Sequence, residues 1–227
     1  MKRCVVAFTL TMLLISNAAI RAATANELSR NEPVELLVSA AAQGDLGSVS
    51  RLLAARTDPN AVSKSISRAL PLVQAAANGH GGVVSALLQA GAAVDARDGR
   101  GQRALVVAAY HGRLDVCRQL LAAGARVDSA TDDELAVLVA GVMSGNVAIT
   151  ELLLQAGALP THIDRAGRNA LLVASDIGNE TTVAILLNAI SKQVGSDSRD
   201  LLLTARDAAA QAKHAIVVTL ISQRLTP

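Results

Sequence analysis

From residue 33 onward the apolar positions come in short bursts that repeat in a fixed register. Runs of small residues end on a glycine in Ala40-Ala41-Ala42-Gln43-Gly44, Ala75-Ala76-Ala77-Asn78-Gly79 and Ala108-Ala109-Tyr110-His111-Gly112. Weaker copies are Ala140-Gly141-Val142-Met143-Ser144-Gly145 and Ala174-Ser175-Asp176-Ile177-Gly178. The terminal glycines lie 35, 33, 33 and 33 residues apart. Eight residues after each of them a Leu-Leu pair begins: Leu52-Leu53, Leu87-Leu88, Leu120-Leu121, Leu153-Leu154 and Leu186-Leu187. Twelve residues after three of them comes Gly-Ala, at Gly91-Ala92, Gly124-Ala125 and Gly157-Ala158. Three anchors in one register over five copies define an internal repeat, the feature that decides architecture before any local detail.

One copy predicts its own elements. Ala104 to Ala109 forms a short helix whose small residues let a neighbouring repeat press close, and Gly112 ends it in the left-handed conformation that glycine adopts without cost. Val116, Leu120 and Leu121 then place apolar side chains along a second helix, which Gly124 stops. Helices this short are marginal alone. Stacking copies builds a continuous core in which each repeat touches only its neighbours.

The segment Asp98-Gly99-Arg100-Gly101-Gln102-Arg103-Ala104-Leu105-Val106-Val107-Ala108-Ala109-Tyr110-His111-Gly112, continuing to Leu120-Leu121-Ala122-Ala123-Gly124-Ala125-Arg126-Val127-Asp128, resembles an ankyrin repeat nearly end to end. Asn78-Gly79-His80 to Gly91-Ala92-Ala93-Val94-Asp95-Ala96 matches too, and Asp164-Arg165-Ala166-Gly167 opens another copy. The resemblance covers roughly residues 33 to 222. It departs in the family's Thr-Pro-Leu-His stretch: only Pro71-Leu72 keeps the proline, with Ala104, Val137 and Ala170 in its place elsewhere. Val73, Val106, Val139 and Leu172 stand where the family has histidine, which implies a more apolar stack. The expected fold is therefore all-α, an ankyrin-repeat solenoid of about six helix–turn–helix copies with the terminal ones as caps. The expected repeats are 33–61, 62–96, 97–129, 130–160, 161–195 and 196–227. In the last copy, Thr204 to Ser222, Lys213-His214 replaces the Gly-His seen at Gly79-His80.

Composition changes the picture at the N-terminus. Met1-Lys2-Arg3 is a positive opening, Cys4 to Ile15 an apolar run of twelve, and Ala23-Thr24-Ala25 an A-x-A cleavage pattern. Twelve helical residues rise ~18 Å against a hydrocarbon core of ~30 Å, so a signal peptide over 1–25 is expected and a membrane span is not. Cleavage after Ala25 is preferred, with Ala19 and Ala23 as alternatives. A linker follows at 26–32, and the expected address is periplasmic or secreted, with no membrane insertion after cleavage. Losing 1–25 removes Lys2, Arg3 and Arg21 and no acid, leaving 18 of the 21 basic side chains against 19 acidic ones. That near-neutral chain lacks the concentrated positive surface that nucleic-acid binding needs. Of two cysteines only Cys117 would remain, so no internal disulfide is possible.

Catalytic and cofactor signatures are missing: there is no G-x-S-x-G, no Walker loop and no G-x-G-x-x-G after a strand. No metal site is expected, because His80, His111, His162 and His214 do not stand at metal-ligand spacing. His80 and His214, at the start of second helices, are assigned structural roles. Cys117 aligns with Val84, Thr150 and Val218 and is expected to pack as a small hydrophobe. Gly99-Arg100-Gly101 reads as turn chemistry, and Asp132-Asp133-Glu134 as a solvated acidic loop. Asn179-Glu180-Thr181 is a glycosylation sequon that matters only in a host that glycosylates exported proteins.

The resemblance implies a protein partner, met by the concave face, the turn tips and the ends of the first helices. In the third copy those positions are Arg97, Arg100, Gln102, Tyr110 and His111. In the fourth they are Asp132, Asp133, Met143 and Ser144; in the fifth, Arg165, Arg168, Asp176 and Ile177. Tip charges alternate: basic at Arg97, Arg100 and Arg103, acidic at Asp132 to Glu134, basic again at Arg165 and Arg168. Tyr110 is the one aromatic side chain left after export, at a position the repeat does not need for packing, and tyrosine is enriched where binding energy concentrates. The expected function is a monomeric, non-catalytic interaction module of the cell envelope. Exported bacterial proteins of this kind resemble accessories to an exported enzyme such as a catalase, or antitoxin-like inhibitors. The alternatives are a secreted effector that binds host proteins and, more remotely, a small hydrolase or metal-dependent enzyme.

Overall fold

The structure, a computed structural model, describes residues 32–64, 68–127, 136–193 and 199–225. These residues form twelve helices in six antiparallel pairs: α1 (32–43) with α2 (Leu46–Ala54), α3 (Pro71–Asn78) with α4 (Gly81–Gln89), and α5 (Ala104–Tyr110) with α6 (Leu114–Ala122). The series continues with α7 (Val137–Met143) and α8 (Val147–Gln155), α9 (Ala170–Ile177) and α10 (Glu180–Gln193), and α11 (Arg199–Gln211) and α12 (Ala215–Leu225). First helices pack in series, α3 on α5, α5 on α7, α7 on α9 and α9 on α11, and second helices form a parallel row from α2 to α12. The fold is thus an all-helical repeat solenoid, and the only β pairing among the described residues is one antiparallel bridge, Arg97 to Arg103.

The two rows differ in burial because they differ in neighbours. In α5 every residue from Ala104 to Ala109 is buried, leaving only Tyr110 outside. A helix apolar all round must be covered all round, and α5 is, by α3, α7 and α6. Second helices bury one face. In α6 Val116, Cys117 and Leu120 point inward while Asp115 and Arg118 are exposed. The first leucine of each central pair, at Leu87, Leu120, Leu153 and Leu186, is fully buried. Val73, Val106 and Val139 are buried as well, so the interior is apolar where the family pattern carries histidine. Packing compensates locally: Ile149 replaces the smaller Val83 and Val116, and the facing position in α7 is Gly141, where a Cβ would sit 2.9 Å from Leu153 Cδ1 and 3.2 Å from Ile149 Cγ2.

The residue just before each second helix turns its side chain in one of two directions. Asp45, Asn146 and Asn179 have short acceptors, and they take the N–H of Ser48, Ala148 and Thr182 in their own helix. His80, Arg113 and His214 are longer donors that reach back to the preceding repeat, where the last turn of a first helix leaves carbonyls without partners. His80 Nε2 donates to Ala42 O at 3.0 Å, Arg113 Nε to Ala77 O at 3.1 Å and His214 Nε2 to Asp176 O at 2.9 Å. The structural roles expected of His80 and His214 are these inter-repeat ties. The imidazoles lie so close over Gly44 and Gly178 that an added Cβ would meet them at 2.6 Å and 2.5 Å.

The ends depart from the repeat length. Helices α10 and α11 have 14 and 13 residues against 7 to 9 for α3 to α9, so the final pair begins at Arg199, before Thr204. Position 213, occupied by glycine in the earlier copies, holds Lys213 at φ 64°. At the other end Glu35 of α1 accepts from Ser63 Oγ at 2.6 Å and from Lys64 N at 2.8 Å, which pins the longer first linker to the terminal helix.

Candidate surface for partner binding

The turn tips are built by a buried aspartate. Asp98 Oδ1 accepts the N–H of Arg100 and of Gln102, both at 2.9 Å, while its own N–H and carbonyl bond to Gln102 O and Gly101 N. Asp164 repeats the arrangement with Ala166 and Arg168, again at 2.9 Å. One carboxylate thus fixes a five-residue hairpin, which projects the side chains at its apex. The turn reading of Gly99-Arg100-Gly101 holds. Gly99 has a further constraint, since a Cβ there would lie 2.1 Å from Arg68 Cβ. The equivalent position of the fifth copy carries Arg165.

These tips do not present every arginine expected of them. Arg103 is buried, at 2% exposure, and belongs to the repeat interface. Its Nη1 donates to Arg126 O at 2.9 Å and to Asp95 Oδ1 at 3.3 Å, and Asp95 also accepts from Arg126 N and Nε at 3.2 Å and 3.1 Å. Arg103 directly precedes α5, so its stem runs into the layer between repeats and only the guanidinium finds polar partners, as long cationic side chains commonly do. Arg97 is exposed with Nη1 on Gly101 O at 3.1 Å. Arg168 is held against Asp164 through Nε at 2.9 Å and Nη2 at 2.8 Å. Arg165 is exposed. Asp132 and Asp133 lie outside the described residues.

Beside the tips, the outer positions of the first helices form a row. Tyr110, Met143 and Ile177 are exposed by 44%, 36% and 48%, although each ends a helix that is otherwise mostly buried. Ser144 is less available: its Oγ donates to Gly141 O at 2.6 Å and accepts from Asn146 N at 3.2 Å. Asp176 is exposed, and its carbonyl receives the His214 tie.

Four of the thirteen positions meet in one place. A cavity of about 310 Å³ is lined by Val73, Gln74, Ala77 and Asn78 of α3, by Arg100 and Gln102 of the tip, and by Val106, Val107, Tyr110 and His111 of α5. The two helices contribute the same four repeat positions, 33 residues apart. The depression exists because small Ala77 stands where the next copy has Tyr110. The Tyr110 and His111 rings meet edge to face, with centroids 5.2 Å apart and planes at 85°. Gln74 and Asn78 were not among the positions expected from sequence. Their signal was the register itself, since they precede Val107 and His111 by one repeat.

Cys117 sits on the opposite side of its repeat, fully buried, and burial pushes its thiol from an ordinary 9.0 up to about 12. It fills the position of Val84 and Thr150, which are also buried. Among the described residues no group of three or more His, Cys, Asp or Glu side chains is placed to hold a metal ion, and no helix is long and apolar enough to cross a membrane.

A family model of ankyrin repeats (3 copies) matches residues 37–131. The comparison with curated proteins gives no match. The matched span covers the first three helix pairs, and the pairs α7–α8, α9–α10 and α11–α12 extend the same stack.

Proposed function

We propose that this ankyrin-repeat stack is an exported, non-catalytic module that acts alone in solution and binds a protein partner across its first helices and turn tips. Ankyrin repeats are protein-interaction modules in general; the partner's seat and the cellular address are specific to this reading. The observation behind the seat is the cavity between α3 and α5. It joins a half-exposed tyrosine, an exposed arginine and two glutamines over an apolar floor. A central aromatic in a depression with a polar rim is the arrangement in which a few residues supply most of the binding energy. Met143 and Ile177 extend the apolar row into the fourth and fifth copies. The address rests on residues 1–25, whose charge, apolar run and A-x-A end are those of a cleaved signal.

The purified protein, used as bait in an envelope extract of the producing cell, is expected to retain a defined partner. Tyr110→Ala should weaken that complex by more than ~1 kcal/mol with unfolding unchanged, because the ring lies outside the buried core. Unaltered affinity would remove Tyr110 from the seat. N-terminal sequencing of the envelope form should begin at Asn26; a protein found only in the cytosol with Met1 intact contradicts export.

A further inference from the structure

The cavity at Tyr110 has a lining whose chemistry is one-sided. Among the described residues no carboxylate lines it, whereas Arg100 stands at its edge with a guanidinium that donates to no described group. Asp98, in the same hairpin, is buried and directs Oδ1 onto the N–H of Arg100 and Gln102. A second cation stands at the same end: Arg113 is exposed and reaches Ala77 O, the carbonyl of a lining residue, with Nε alone. The floor is apolar, formed by Val73 and Val106, and the small Ala77 leaves room beside the Tyr110 ring. Gln74 and Gln102 add amides, each both donor and acceptor, and neither side chain is bonded to a described residue.

We propose that this cavity recognises an extended segment of the partner in which an aspartate or glutamate stands next to a small aliphatic side chain. The carboxylate pairs with Arg100, where a planar guanidinium favours two-point contact. The aliphatic side chain rests on Val73 and Val106 against Tyr110, and the two glutamines meet the segment's backbone. Its size agrees: about 310 Å³ lies at the lower end of ligand cavities, enough for a few side chains and not for a folded element. The inference rests on the protein-binding reading and adds the partner's chemistry to it. Complementary charge at such a rim sets orientation and encounter rate, so the contact weakens as salt rises.

The test is a selection of random dodecapeptides on the purified protein at low salt, repeated on Arg100→Glu and Arg100→Ala, with melting curves to confirm that both variants fold. Peptides enriched on the unmodified protein should contain Asp or Glu beside Val, Ala, Ile or Leu, and both variants should lose that enrichment. A synthetic peptide from the selection should bind about tenfold more weakly to Arg100→Glu, a difference of about 1.4 kcal/mol. Its Glu→Lys counterpart should reverse the preference. Recovery of acid-free peptides, equal affinity for protein and variants, or no enrichment overturns the proposal. The broader reading fails separately, through a natural partner whose affinity is untouched by Tyr110→Ala. If Tyr110→Ala weakens the partner while selected peptides carry no acid, only the acidic-segment proposal falls.

Discussion

Arg56, Arg68 and Lys213 hold the left-handed backbone, at φ 62°, 55° and 64°, at places where sister repeats have glycine. Arg56 occupies the position of Gly91, Gly124 and Gly157, and Lys213 that of Gly44, Gly79 and Gly112. The register was plain in the sequence, but the residue types hid that the turns persist without glycine. An L-residue in this conformation costs about 1–2 kcal/mol, offset in part by the about 0.5–1 kcal/mol that glycine loses through unfolded-state freedom. Lys213→Gly and Arg56→Gly should therefore each raise stability by about 0.5–1 kcal/mol in urea unfolding. A loss would mean that the side chains make contacts worth more than the strain. Cys117 gives a second residue-scale expectation. Its folded thiol ionises only near 12, against 9.0 when free, so below pH 9 its protonation does not alter stability. Above that the unfolded chain alone gains by ionising, and stability falls as pH rises. In protein lacking residues 1–25, and with them Cys4, a thiol reagent at pH 8 should leave the native fold unmodified and label one site after denaturation. Rapid labelling of the folded protein would refute the packed reading.

At the scale of the helix, what was legible followed from spacing. The small-residue runs, the leucine pairs and the glycines place α3 to α9 because each repeat offers the same neighbours to the same position. The tips were less legible, because Arg100 and Arg103 are chemically identical three residues apart while one projects into solvent and the other anchors Asp95 and Arg126. Only the hairpin around Asp98 and the start of α5 tell them apart. The extra length of α10 and α11 was less legible, since the recurring glycines and leucine pairs mark positions inside a repeat and not where its second helix ends. Core energetics can be checked on two second helices. Leu120→Ala should cost about 2–5 kcal/mol, since the fully buried side chain leaves a cavity between tightly stacked repeats. Thr150→Val should instead stabilise by about 1 kcal/mol, because the buried Thr150 Oγ1 has no hydrogen-bond partner among the described residues and valine keeps its shape. A Leu120→Ala variant of unchanged stability would mean that the register is wrong.

At the scale of the whole molecule, side-chain ties join described repeats to one another. Asn60 bonds Gly91 O and Ala93 N, at 3.0 Å and 2.7 Å, and Asp95 makes the corresponding link to Arg126 one repeat later. His80 and Arg113 add ties at the same two junctions. Asn146 and Asn179 turn toward their own helices instead, and α7 packs between α5 and α9. The Tyr110 cavity lies at the second-to-third junction, where side-chain links fix both walls, and a rigid seat loses less entropy when a partner docks. That position could not be read from the turn tips alone, because its depth comes from the contrast between Ala77 and Tyr110 in neighbouring copies.

The most direct measurement is site-specific photo-crosslinking in the producing cell. A benzophenone side chain would be placed at position 110 in one variant and at exposed Gln155 on α8 in another. A discrete covalent adduct with one protein, formed from position 110 and absent from position 155, is the result this account predicts. Equal labelling from both positions, or none from position 110, would contradict it.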